Sequence, residues 1–174
     1  MPVENRPSIR RSRPDDAEPF ADLMEAVAAE GQWIARESPI DRPATIESFL
    51  AGIDDGDHGS FACVDGGTLV GSAGVHLLPY GVAELGMLLA PSHRGRGLGR
   101  QLLDAALGWA TDHPGVHKLA LQHWPDNVAA HRLYRRAGFV QEGYLHRHYR
   151  RRNGELWDAV VMGLVLEEPV EPPN

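Results

Sequence analysis

Cysteine is almost missing from this 174-residue chain: Cys63 stands alone. No internal disulfide can form, which excludes a disulfide-stapled secreted scaffold and suits a reducing cytoplasm. Long apolar runs are missing as well. No segment reaches the roughly 18 apolar residues that a spanning helix needs. The start, Met1-Pro2-Val3-Glu4-Asn5-Arg6, has no apolar signal core, so a cytoplasmic protein without a membrane partner is expected. Positive charge is in deficit, with a formal net charge of -7. A phosphate-backbone binder needs a basic face, so nucleic acid is not an expected partner. The local basic run from His146 to Arg152 reads as a solvated hairpin edge.

What is present is an ordinary globular balance, 43% hydrophobic and 24% charged residues, in a length that suits one core. We expect one domain over residues 8–166. Proline-containing ends at 1–7 and 167–174 are expected to be flexible. Within the domain, Ser8 to Arg13 reads as a strand. A helix follows from Pro14 to about Glu30, with Phe20, Leu23, Met24 and Val27 on one face. Gly31 to Ala44 reads as a loop, and Thr45 as the cap of a second helix. Strands are expected at Ser60–Val64, Leu69–Leu77 and Val82–Leu89, the first two joined by Asp65-Gly66-Gly67. Leu98, Leu102, Leu103, Ala106, Leu107 and Ala110 then repeat at helical spacing. A strand over Lys118–Trp124, a helix over Asn127–Ala137 closed by Gly138, and a hairpin of Phe139–Tyr149 with Leu156–Leu166 complete the chain. This order implies an α+β domain. Cys63, in Phe61-Ala62-Cys63-Val64, reads as a small core residue.

The segment Leu85-Gly86-Met87-Leu88-Leu89-Ala90-Pro91-Ser92-His93-Arg94-Gly95-Arg96-Gly97-Leu98-Gly99 runs a strand into a glycine-rich turn that opens a long amphipathic helix. Unpaired N–H groups and the helix dipole favour an anion such as a pyrophosphate at that point. The glycines permit close approach to the main chain, and Arg94, Arg96 and Arg100 add positive charge. Two other phosphate loops are excluded. The dinucleotide pattern needs a third glycine where Arg100 stands, and the Gly-Lys-Ser/Thr of a nucleotide P-loop is absent.

At these residues the chain resembles the GNAT superfamily of N-acetyltransferases. The family's acetyl-CoA signature, Arg/Gln-x-x-Gly-x-Gly/Ala, is met by Arg94, Gly97 and Gly99. A second family segment is met by Asn127-Val128-Ala129-Ala130-His131-Arg132-Leu133-Tyr134-Arg135-Arg136-Ala137-Gly138-Phe139. The hairpin residues Glu142, Gly143, Arg152, Asn153, Gly154, Asp158 and Met162 are similar to the branch that acts on amino acids and other small amines. The resemblance implies the GNAT fold, a mostly antiparallel mixed sheet with flanking helices, whose fourth and fifth strands splay apart. It implies acetyl-CoA as cosubstrate, no metal, and frequently a homodimer. The cofactor-binding residues carried over are Met87, Leu88, Leu89, Arg94, Gly95, Arg96, Gly97, Leu98, Gly99, Arg100, Asn127 and Tyr134. Main-chain groups of Met87 to Leu89 would pair with the pantetheine arm. Asn127 would hydrogen-bond that arm, and Tyr134 would meet the sulfur. Asn127 and Tyr134 are two helical turns apart, so they share a face at roughly 10 Å.

The expected reaction is direct attack by a small-molecule primary amine. An alkylamine must lose a proton before it attacks a thioester. By the resemblance, Glu84 on the fourth strand is the candidate base, directly or through water, and Tyr134 the candidate acid for the departing thiolate. Some relatives carry a glutamate where this chain has Gln122, which cannot act as a base. His76, His123, Glu30 and Glu37 are the reserves. Cys63 as covalent nucleophile is the runner-up chemistry, without an identifiable base beside it. Alternative readings are a protein N-terminal or lysine acetyltransferase, or a non-catalytic acyl-CoA sensor. His146 and His148 would share a strand face, but no third metal ligand accompanies them.

Overall fold

The computed structural model describes residues 6–167. The flexible ends expected from the sequence fall largely on residues 1–5 and 168–174, which lie outside the described residues. Seven strands and four α-helices follow one another: β1 (Ser8–Arg11), α1 (Ala17–Ala29), α2 (Arg42–Asp54), β2 (His58–Asp65), β3 (Thr68–Leu77), β4 (Val82–Leu89), α3 (Leu98–Asp112), β5 (Lys118–His123), α4 (Val128–Arg136), β6 (Val140–Arg150) and β7 (Leu156–Val165). The strands form one sheet in the order β1-β2-β3-β4-β5-β7-β6. Its pairs are antiparallel except β4 with β5.

Strand alternation divides the core between the two sheet faces. Cys63, Ala73, Val75 and Leu85 turn to the face covered by α3, where Leu98, Leu102, Leu103, Ala106 and Ala110 are buried. Ala62 and Leu69 turn to the other face, against Leu23 and Val27 of α1. Cys63 is fully buried, and burial pushes its thiol pKa up. It is a core residue, as its apolar neighbours indicate.

Two local expectations need correction. The second helix starts at Arg42, not Thr45. Asp41 caps it by accepting the N–H of Ala44, and Pro43 lies in the first turn. Thr45 is buried inside the helix, and its hydroxyl donates to the Asp41 carbonyl. His146 and His148 do not lie on a regular strand face. The register of β6 against β7 jumps from Leu145–Ala159 to Tyr149–Trp157. Asp158 holds the resulting bulge, accepting from the Arg147 N–H at 2.6 Å and the Tyr144 hydroxyl at 2.8 Å. Arg147 takes a positive φ of 50° at this point.

The feature that shapes the cleft is the end of the β4–β5 pairing. The two strands pair only through Val82–Glu84 and Lys118–Ala120. Beyond these residues they separate, so Gly86–Leu89 has no β5 partner on that side.

Candidate acyl-transfer cleft

The free edge of β4 can be read residue by residue. The N–H of Leu78 bonds the Val82 carbonyl and that of Ala90 bonds the Val70 carbonyl. Even-numbered residues of β4 therefore bond to β3, and odd-numbered ones point toward the gap. Leu85, Met87 and Leu89 offer polar main chain there, whereas Leu88 turns its own to β3 and its side chain into the α1 cluster. The Leu89 carbonyl is already taken. Arg94 donates to it from Nε at 3.1 Å and from Nη2 at 2.9 Å. Gap-facing main chain available to an extended ligand is thus found at the Leu85 carbonyl, Met87 and the N–H of Leu89, because the Leu85 N–H closes the last rung to Ala120.

The glycine turn ends in an open helix N-terminus. Gly97 is the residue before α3, with φ 79° and ψ -1°, and no side chain caps the helix. That φ favours glycine because a Cβ meets the following carbonyl. Gly95 shares the conformation at φ 72°, and open space surrounds both. The N–H groups of the first turn, Leu98 and Gly99 among them, are left for an external acceptor. At Gly99 a Cβ would touch Leu133, Leu89 and Met87 at 3.5 to 3.7 Å, which is ordinary packing.

The three arginines of the turn are less free than their sequence implies. Arg94 bonds Glu30 through two oxygens, at 2.7 and 2.6 Å. Arg100 bonds Asp104 at 2.8 Å, and Arg96 lies 3.8 Å from Asp65. An anion at this turn would therefore meet main-chain N–H groups and the helix dipole more than bare side-chain charge.

Asn127 is the cap of α4, accepting the Ala130 N–H through Oδ1 at 3.1 Å. Its amide nitrogen is a donor that this bond does not use. Tyr134, on the same helix, is 7% exposed. Burial alone pushes its pKa up to about 12, with no charged or hydrogen-bonding partner offsetting it. Both residues line a cleft of about 1280 Å³ that also takes in Met87–Leu89, Arg94, Gly95, Gly97, Gly99 and Arg100. Pockets for a single small ligand run to roughly 300–1,000 Å³, and this cleft exceeds that range.

On the other face of the sheet the cleft continues past Glu84. This exposed carboxylate is the cross-strand partner of His76, which in turn pairs with His58. The two imidazoles lie 4.2 Å apart, and His58 Nδ1 meets Asp55 at 3.1 Å. Sequence reasoning placed His76 in reserve but missed His58. Only the register of β2 on β3 brings it into line. Gln122 accepts the Tyr149 hydroxyl at 2.9 Å. Burial and the nearby Glu84 charge both raise the Tyr149 pKa.

Three reserves are committed elsewhere. Glu30 is held ionised chiefly by Arg94, which lowers its pKa. Glu37 bonds Arg151 at 2.9 Å and accepts the Arg152 N–H. Arg151, 6% exposed, also donates to the Ala35 carbonyl and lies 4.3 Å over the Trp157 ring, pinning the loop after α1 to the last hairpin. At His123, Nδ1 faces the Trp124 carbonyl at 2.8 Å and so carries the proton. Its Nε2 then accepts from His131 Nδ1 at 3.1 Å. Burial lowers its pKa, and both nitrogens are occupied.

A sheet whose central strands part beside an uncapped, glycine-opened helix leaves a main-chain edge and a helix N-terminus at which an extended, anionic ligand can fit. Residues 20–139 match the sequence model of the acetyltransferase (GNAT) family. An aminoglycoside N(6')-acetyltransferase type 1 of Stenotrophomonas maltophilia is 30% identical over 150 residues, 80% of this chain and 90% of that one. A spermidine N(1)-acetyltransferase of Vibrio cholerae is 38% identical over 63 residues, which span only 36% of each chain. An acetyltransferase structure from Salmonella typhimurium, solved with its cofactor acetyl-CoA, superposes with a TM-score of 0.80 at 21% identity, covering 97% of this chain and 98% of that one. The chain belongs to the acetyltransferase (GNAT) family and is, by that membership, an N-acetyltransferase.

Proposed function

We propose that the protein transfers an acetyl group from acetyl-CoA to the primary amine of a small molecule by direct attack. The observation that carries this reading is the junction of three features in one cleft: the unpaired edge of β4, the uncapped start of α3 and the unpartnered hydroxyl of Tyr134. The first-turn N–H groups of α3 would hold the pyrophosphate. Met87 and its gap-facing neighbours would pair with the pantetheine amides, with Asn127 donating from its free amide nitrogen. When bound, acetyl-CoA supplies the activated acyl carbon.

The chain's own groups have separate tasks. A gap-facing N–H of β4 stabilises negative charge developing on the acyl oxygen. Glu84, directly or through water, removes the proton of the incoming ammonium. Tyr134 stays protonated at neutral pH. A thiol has a reference pKa of about 8.5, so full transfer from a phenol at about 12 to the leaving sulfur is uphill. The role we assign to Tyr134 is therefore hydrogen-bond donation to the departing sulfur, with proton transfer completed as coenzyme A leaves.

Calorimetry with acetyl-CoA, and free-thiol release across an amine panel, test the proposal. Micromolar binding, about -8 kcal/mol, and amine-dependent thiol release are expected. Gly97→Glu should abolish binding, because it places a carboxylate at the anion seat on a residue with positive φ. Absence of acetyl-CoA binding by the wild-type protein would refute the reading. We further place the reaction in the cytoplasm and expect a homodimer, in which the exposed Val140 and Tyr144 of edge strand β6 offer a contact surface. Light scattering tests the dimer.

A further inference from the structure

Resting on the acetyltransferase reading, we infer that the acceptor is an amine with a single cationic centre and an apolar or aromatic body, not a polycation. The floor of the acceptor side is the cross-strand pair Gly74–Gly86, where an added Cβ on either residue meets nothing within 4 Å. Its walls are aromatic: Phe20 stacked on Phe49 at 4.6 Å, then Trp33, Trp124 and Tyr149.

Carboxylates are scarce around this space: among the described residues that line the cleft Glu84 is the single one, and Arg36 lines the acceptor side, while Arg94, Arg100, Arg132 and Arg136 lie on the turn, α3 and α4 that face the cofactor half. The nearby acids Glu30, Glu37 and Asp55 are spent on Arg94, Arg151 and His58. One ammonium can therefore be paired and deprotonated at Glu84. A second ammonium on the same molecule would lose its hydration beside Arg36 and aromatic rings with no carboxylate to receive it. An apolar body replaces that penalty with burial on the rings. This reading departs from the acceptors named for the two sequence relatives, spermidine and an aminoglycoside, both of which carry several amines.

The test compares kcat/KM of the full-length protein for 2-phenylethylamine and L-phenylalanine with that for spermidine and kanamycin, at saturating acetyl-CoA. The better aromatic monoamine should exceed both polycations by at least about 10-fold. The two aromatic arms distinguish an acceptor with a carboxylate from one without. A second measurement uses Ser48→Glu. Ser48 is exposed on α2 and lines the cleft, so the change adds a carboxylate without disturbing the core. It should raise kcat/KM for spermidine relative to the aromatic amine by about 5-fold or more. Preference of the wild-type enzyme for either polycation, or an unchanged ratio in Ser48→Glu, overturns the inference while leaving acetyl transfer intact. Failure to bind acetyl-CoA and to acetylate any amine overturns both.

Discussion

Arg94 offers a direct way to separate a residue that binds phosphate from one that builds the phosphate site. Its guanidinium makes two bonds to Glu30 and two to the Leu89 carbonyl. The Arg94 and Glu30 side chains are 34% and 21% exposed. Breaking a fully buried pair costs about 3–5 kcal/mol, while an exposed pair is worth about 0–1 kcal/mol. The intermediate exposure puts Arg94→Ala near 2 kcal/mol, part of it from the orphaned Leu89 carbonyl. For a chain of this size that lowers Tm by about 4–8 °C. Glu30→Gln keeps the shape but removes the charge, so about 1 kcal/mol is expected there. The two changes should couple in a double-mutant cycle. Affinity for acetyl-CoA then discriminates the roles. If Arg94 holds the turn in place, both substitutions weaken binding, by about 3- to 30-fold. If Arg94 were itself the phosphate ligand, Glu30→Gln would release it and leave binding unchanged or tighter. Calorimetry giving undiminished affinity in Glu30→Gln together with a large loss in Arg94→Ala would refute the positioning role.

Other outcomes follow from the same geometry. Asp16 is buried, bonds Arg10 through both oxygens and accepts the Arg13 N–H. Asp16→Asn should cost about 2–3 kcal/mol in urea melts. The Arg10 hydrogen bond depresses the Asp16 pKa, so its contribution is present above about pH 4 and lost as pH falls toward the folded-state value. The Asn variant should lack that acid-dependent loss. Tyr134→Phe should lower turnover by about 10- to 1,000-fold with acetyl-CoA affinity within a few-fold; equal losses in both would make Tyr134 a binding group. Because its folded pKa of about 12 exceeds the unfolded value of about 10, wild-type stability should fall from pH 10 to 12, and the Phe variant should escape this component. Glu84→Gln should slow the reaction at neutral pH and recover in part at high pH, where solvent supplies free amine. An unchanged rate would pass the role to His76, the neighbouring rung of the same sheet face.

The elements of the fold could be read from short-range signals because short-range physics sets them. The β4 bounds match the expected strand, and Gly138 takes the left-handed conformation expected after a helix, with φ 98°. The start of α2 was also readable. Asp41 followed by a proline in the first turn is a stronger start than Thr45. The bulge at Arg147 was not readable, because it depends on Asp158 of the partner strand, eleven residues away.

The two halves of the cleft differ in legibility for the same reason. The cofactor half is made of main chain, and main-chain sites leave marks in the residues that free the backbone. Gly95 and Gly97 sit at positive φ where the sequence places them, and Asn127 caps the helix that carries Tyr134. Side-chain charge in that half was misleading. The acid that engages Arg94 is 64 residues away in sequence, and only the packing of α1 on the sheet brings it there. The acceptor half has no local signature. Its ladder of Asp55, His58, His76 and Glu84 draws on the end of α2 and three strands, and no single segment holds two neighbouring members except Asp55 and His58. Its aromatic wall comes from α1, the loop after it, α2, the turn after β5 and the last hairpin. A family can keep the first half constant with a handful of glycines, because phosphate and pantetheine do not change between members. The second half must be rebuilt for each acceptor from residues scattered along the chain. Acceptor choice is therefore better argued from the charge balance of the assembled cleft than from the names of relatives that share the cofactor half.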